Sequence, residues 1–170
     1  MLNSLDSCKK CQRIHYNFTI LSKIYPDYMN KPIHGFGSML SPICIVGLAP
    51  GLHGANRTGE VFKGDFSGEI LNKCLKLAGF ADKYDISYPY ITNAVKCYPP
   101  ANKPMVNEIK NCSKFLSEEL GALYNLKVII ALGKLSHDSV LKIYGASLTK
   151  NKFIHNHAHR IANKLILLDS

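Results

Sequence analysis

Long apolar runs are missing from this 170-residue chain. The longest, over 43–50 and 128–132, fall far short of the roughly 20 residues a bilayer-spanning helix needs, so no membrane partner is expected. Residues 1–13 carry no apolar h-region, which argues against a secretory signal and for a cytoplasmic protein. In that reducing compartment the six cysteines are not read as a disulfide framework, and metal binding becomes the better use for them. Acidic residues are scarce. Asp and Glu number 12 against 21 Lys and Arg, for a net charge of +9. Such a balance favours a polyanionic partner, because each neutralised phosphate releases condensed counterions; plain solubility is the other reading. No internal repeat, linker or low-complexity tract interrupts the chain, so one domain over 1–170, acting as a monomer, is expected. The Gly-rich segment offers no Gly-Lys-Ser/Thr, which excludes a phosphate-loop NTPase.

Short β-rich runs alternate with helical patterns, the signature of βαβ units. The run Ile43-Cys44-Ile45-Val46-Gly47 is apolar throughout, as a strand buried on both faces requires. A Gly-rich loop over 48–64 follows, then apolar residues at helical spacing over 70–77 with Gly79 as a cap. Further strands are expected over 88–95, 127–132 and 164–168, with helices from Pro104 to Leu120 and over 136–144. The expected fold is α/β: a three-layer α/β/α sandwich around a four-stranded parallel sheet. Ligands of such sheets bind at the carboxyl ends of the strands, here the loops after Gly47, Asn93 and Gly133.

Cys8-x2-Cys11 can grip a metal from one turn, and Cys97-x14-Cys112 can complete a four-thiolate set. Spacing alone leaves zinc, a [4Fe-4S] cluster and unrelated buried thiols all open. Lys9, Lys10, Arg13 and Lys96 neighbour these thiols and would lower their pKa. Cys44 and Cys74 read as core packing.

One run resists a bland explanation: Gly47-Leu48-Ala49-Pro50-Gly51-Leu52-His53-Gly54-Ala55-Asn56-Arg57-Thr58-Gly59, then Val61-Phe62-Lys63-Gly64-Asp65. It resembles the first motif of family 5 uracil-DNA glycosylases almost residue for residue. Ile91-Thr92-Asn93-Ala94-Val95-Lys96-Cys97-Tyr98-Pro99-Pro100 is similar to that family's second-strand motif, and Asn102-Lys103-Pro104, Glu108 and Ala131-Leu132-Gly133 also match. The resemblance implies hydrolysis of the N-glycosidic bond of uracil, and of other deaminated bases such as hypoxanthine, in DNA at the start of base-excision repair. It also implies a [4Fe-4S] cluster on Cys8, Cys11, Cys97 and Cys112, with a structural role. The related family 4 carries an acidic residue directly after the first-strand glycine. Leu48 stands there in this chain, which points to family 5 and shifts the acidic role towards Asp65.

Within that reading, the base must leave the helical stack and enter a pocket. Phe62 stacks on it, Gly47 lets backbone approach, and Asn93 reads it, donating to O4 and accepting from N3–H. Backbone N–H groups of Leu48 and Ala49 stabilise the departing anion, while Asp65 orients water and supports the cationic sugar. His53, Asn56, Arg57, Lys63 and Lys103 are the expected DNA contacts. Each has an alternative: loop packing for Phe62, a strand-end cap for Asn93, a helix N-cap for Asp65, loop shaping for His53 and Asn56, and solvated charge for the cations.

The family continues past its last strand into a Tyr-His-Pro-Ser motif, whereas this sequence stops at Asp169-Ser170. The expectation is therefore a chain without the family's C-terminal motif: a weakened glycosylase or, alternatively, a catalytically impaired remnant that still binds DNA and an iron–sulfur cluster. His155, His157 and His159 precede the last strand and do not replace the motif. Their alternate spacing suits a solvated strand edge, with a metal site as the rarer alternative.

Overall fold

The computed structural model describes residues 3–80, 82–162 and 164–170. In chain order the elements are α1 (Asn3–Asp6), α2 (Gln12–Ile24), β1 (Ile43–Gly47), α3 (Ala55–Thr58), α4 (Phe66–Leu77), β2 (Tyr90–Asn93), α5 (Val106–Ala122), β3 (Val128–Ala131), α6 (Lys134–Ile143), β4 (Ala158–Ala162) and β5 (Leu165–Asp169). The sheet order is β2-β1-β3-β5-β4. The first four strands of that order are parallel, with Val46 level with Thr92 and Ala131, and Ala131 level with Asp169. β4 runs antiparallel to β5 at the edge, with a bulge near its end.

Layering follows from alternation along the strands. Cys44 and Val46 of β1 face α5 and α6, in a core with Tyr90, Leu116, Leu120, Ile129, Val140, Leu141 and Leu167. Ile45 points the other way, to a core with Ala55, Val61, Leu75, Tyr88 and Ile91. A third cluster packs α1 and α2 against the segment after β2 and against α5, through Leu5, Ile14, Phe18, Val95, Tyr98 and Phe115. The expected α/β sandwich is present.

Several expectations need correction. The sheet has five strands, because Ala-His-Arg-Ile-Ala at 158–162 forms an edge strand whose polar residues disguise it. β2 is shorter than expected, since the chain bends at Ala94 to enter the cysteine-bearing segment. α4 starts at Phe66, where Asp65 caps it, and Gly79 does follow its end in the left-handed region at φ 90°. α5 starts at Val106, two residues after Pro104, and α2 was not anticipated at all.

The histidine row is not a solvated edge throughout. His155 and His157 are exposed, but His159 is buried with His137 and Asp169. Asp169 accepts from His137 Nδ1 at 2.6 Å, His159 Nε2 at 2.9 Å and the Ile154 N–H at 2.9 Å, while His137 Nε2 donates to the Asn151 carbonyl at 2.8 Å. These three side chains bring ligand atoms within 4.8 Å of one another, yet each is already satisfied by hydrogen bonds that tie β4, α6 and the end of β5 together.

Candidate functional site

A pocket of about 1050 Å³ opens at the carboxyl ends of β1 and β2 and continues as an apolar groove between α4 and the sheet. Its polar end is built by the Gly-rich loop after β1. That loop is pinned through its carbonyls: Ala94 N donates to Gly47 O at 2.8 Å and Val95 N to Leu48 O at 2.9 Å. Among the described residues, the N–H groups of Leu48 and Ala49 donate to no protein acceptor, and both residues line the pocket. Along the groove stand Ile70 and Cys74. Cys74, expected in the core, is instead exposed there because α4 turns that side towards the open groove.

Asn93 ends β2 and is only 3% exposed, yet its Oδ1 has no hydrogen-bond partner. A buried acceptor left open costs about 1–3 kcal/mol unless something fills it. Gly47 sits beneath it. A Cβ there would overlap Asn93 Oδ1 and come within 2.5 Å of Phe62 Cζ, so only glycine lets the two side chains meet. Phe62 itself holds φ 52°, in the left-handed region that an aromatic residue rarely adopts. Gly68 makes room for it, since a Cβ at 68 would strike the Phe62 carbonyl. Strain of this sort is held by its surroundings and clusters at functional sites.

Asp65 answers to both of its expected roles. Its Oδ1 accepts from Gly68 N at 2.9 Å and caps α4. Its Oδ2 lies over Gly51 and Gly54, where a Cβ on either would crowd it, and the residue lines the pocket.

The expected DNA contacts separate into classes. Asn56 is fully buried and donates through Nδ2 to Asn30 Oδ1, so it shapes the loop from behind and does not reach the surface. Arg57 is exposed, but its guanidinium is spent on the His53 and Gly64 carbonyls at 2.7 and 3.0 Å. Lys63 pairs with Glu60 at 2.6 Å, and Lys103 is exposed without an ion pair among the described residues. His53 is exposed and linked through Nδ1 to the Tyr28 hydroxyl at 2.9 Å, beside a stacked Tyr25–Tyr28 pair whose centroids are 4.6 Å apart. Neither tyrosine was anticipated, and no local pattern marks them. Asn102 was anticipated only as part of the motif. It lines the pocket with φ 56°, directly after Ala101 at the same angle.

Cys8, Cys11, Cys97 and Cys112 do converge, lining one small cavity with Leu5, Ile14, Val95 and Phe115. No three of their sulfurs lie within 4.8 Å of one another. A single zinc ion, with Zn–S bonds of about 2.3 Å, would draw them to roughly 3.8 Å. The neighbouring cations do not set Cys11, Cys97 or Cys112 low. Burial pushes Cys97 well up and Cys112 to about 11, outweighing the Lys96 charge and the Lys96 N–H that donates to Cys112 Sγ at 3.2 Å. Cys11 is also raised, by burial first, against the Asn111 amide and Arg13. A metal must therefore displace protons to bind.

Arg13 clips the segment shut. It makes a two-pronged pair with Glu108 of α5, at 2.9 and 2.7 Å, and Glu108 also accepts from Met105 N at 2.7 Å. Burial alone would raise Glu108; the Arg13 hydrogen bonds, the Met105 N–H and the Arg13 charge together hold it below the usual carboxylate range. The pair's stabilisation is thus complete above about pH 4.3 and is lost as the pH falls through the lower folded value. Arg13→Ala leaves Glu108 without its main partner and is expected to cost about 2 kcal/mol. Thermal unfolding at pH 7 checks this, and the same scan at pH 3 should show a smaller difference.

Comparison with known proteins now bears on the site. The family model of the uracil DNA glycosylase superfamily matches residues 34–168. A type-5 uracil-DNA glycosylase of Pyrobaculum aerophilum is 40% identical over 159 residues, covering 86% of this chain and 70% of that protein. One from Thermus thermophilus is 39% identical over 168 residues, covering 91% and 76%. A type-4 uracil-DNA glycosylase of Pyrobaculum aerophilum is more distant, at 33% over 124 residues, with 72% and 60% covered.

Proposed function

The chain belongs to the uracil-DNA glycosylase superfamily, and from that membership we propose a mechanism for excision of uracil from DNA by the residues around Asn93. As a DNA glycosylase, it hydrolyses the N-glycosidic bond of uracil in DNA, the first step of base-excision repair. The observation that carries the site assignment is the open Oδ1 of Asn93, buried at the pocket wall. Uracil presents N3–H beside O4, a donor next to an acceptor. The Asn93 amide matches that pair with Oδ1 accepting and Nδ2 donating, whereas cytosine offers the reverse and would leave both groups unpaired. Hypoxanthine also sets an N–H beside a carbonyl, so it fits the same amide.

The flipped base stacks against Phe62, whose ring meets Asn93 over Gly47. As the bond breaks, negative charge gathers on the uracil ring, where the free N–H groups of Leu48 and Ala49 can receive it. Positive charge gathers on the sugar, and the outward oxygen of Asp65 stabilises it and holds the attacking water. His53 at the pocket and the exposed Lys103 would meet the DNA backbone, while the side chains of Arg57 and Lys63 are engaged within the loop.

The all-cysteine donor set, gathered around one small cavity, supports a [4Fe-4S] cluster on Cys8, Cys11, Cys97 and Cys112. Such a cluster would tie the N-terminal segment to α5 and to the segment leaving β2. Protein purified without oxygen should be brown and carry iron and sulfide; colourless protein with stoichiometric zinc would overturn this assignment.

Release of uracil from a strand with one uracil tests the catalytic reading, and Asp65 offers the sharper variant. Asn caps helices as well as Asp does, so Asp65→Asn should keep the thermal midpoint while excision falls by at least about tenfold. Asp65→Ala should lose the same activity and about 1 kcal/mol of stability as well. Full activity in Asp65→Asn would reduce this residue to a cap.

A further inference from the structure

Lys96 is fully buried, which is rare for a lysine. Its side chain folds back beneath the bend it follows. Nζ reaches Thr92 Oγ1 and Glu119 Oε2, both at 2.5 Å, and Thr92 Oγ1 donates to the same Glu119 oxygen at 2.8 Å. Glu119, on α5 and equally hidden, is also touched through its other oxygen by Gly35 N at 3.3 Å. Thr92 and Lys96 therefore bracket Asn93, Ala94 and Val95, and the bracket is anchored to α5 from below. The backbone of Lys96 holds two further lines: its carbonyl accepts from Ile33 N at 2.7 Å, and its N–H donates to Cys112 Sγ.

We propose that Lys96 is a positioning residue that, through Thr92 and Glu119, fixes the bend carrying Asn93 so that its amide meets the base in one orientation. The proposal rests on Asn93 as the base-reading group. Three features favour it over a purely stabilising role. A buried ion pair is generally no more stabilising than well-packed apolar side chains of the same volume, so stability alone does not account for it. The Lys96 and Thr92 side chains join at the two ends of the bend, with Asn93, Ala94 and Val95 between them. Asn93 makes no side-chain hydrogen bond through Oδ1, so its direction has to be set by the backbone beneath it.

The test replaces both charges, since Lys96→Met alone would strand Glu119. In Lys96→Met/Glu119→Leu, the fold, the iron content and the thermal midpoint should stay close to those of the parent. The maximal rate of uracil release should fall at least about tenfold, with KM little changed, because misorientation acts on the reacting geometry more than on DNA binding. In parallel, the side-chain amide signal of Asn93 in a nitrogen-15 spectrum should shift or broaden in the double variant. An unchanged rate together with an unchanged Asn93 signal overturns the proposal. A parent protein that releases no uracil would refute the excision reading, and the amide signal would still decide whether Lys96 holds Asn93.

Discussion

Gly47→Ala is expected to reduce uracil release by more than about 10²-fold, although the substitution adds one methyl group. Gly47 does not need glycine's backbone freedom; its φ lies outside the positive range, so alanine fits the strand conformation. What it needs is space. The new Cβ would overlap Asn93 Oδ1 and stand 2.5 Å from the rim of the Phe62 ring. Neither neighbour has an easy retreat, since Asn93 is buried at the end of β2 and the Phe62 backbone, at φ 52°, packs closely over Gly68. Moving them separates the amide that reads the base from the ring that stacks on it, and a misplacement of about 1 Å can cost 10²-fold in rate. Overpacking should also cost about 1–3 kcal/mol of stability. Single-turnover release and thermal unfolding, with Gly121→Ala as control, check both effects. Gly121 lies within α5 with nothing within 4 Å of its missing Cβ, so alanine there should leave activity intact and raise stability slightly.

The same contrast shows what a sequence reveals and what it hides. The run from Ile43 to Gly47 could only be a buried strand, and the loop after it carried enough specific residues to name its chemistry. Asp65 was legible as two alternatives, a cap and a pocket acid, because either use needs the same residue just before a helix; the fold lets two oxygens serve both. Residues whose surroundings come from distant segments were not legible. Lys96 reads as a cation beside the cysteines, since only the packing of α5 against β2 supplies Glu119 and closes water out. Asn56 reads as either a DNA contact or a loop-shaping residue until Asn30, 26 positions away, takes its amide. β4 was only partly legible for a related reason. Its alternate histidines suggest a solvated strand edge, but the pairing with β5 and the burial of His159 against Asp169 come from distant segments. The cysteines gave their own partial answer: spacing found the four that converge, but spacing alone leaves one ion and a cluster both open.

Asn93→Ala should separate function from folding with opposite signs. Most buried substitutions destabilise. Here the lost group is an acceptor that no donor satisfies, at the wall of an open pocket. Removing an unsatisfied buried polar atom relieves a penalty of about 1–3 kcal/mol. The truncated side chain leaves no sealed cavity, so the midpoint of unfolding should hold or rise. Excision should nevertheless fall by about 10²–10³-fold, the usual loss when a single preorganised group facing the developing charge is removed. Discrimination should weaken as well, because selectivity against cytosine comes from leaving that amide unpaired with the wrong base. Release rates from otherwise identical strands carrying uracil or hypoxanthine, measured beside thermal unfolding of the same protein, give the two signs together. A variant that is both less stable and fully active would make Asn93 a strand-end cap. A variant at least as stable and nearly inactive would identify an amide kept at a cost to the fold because the base requires it.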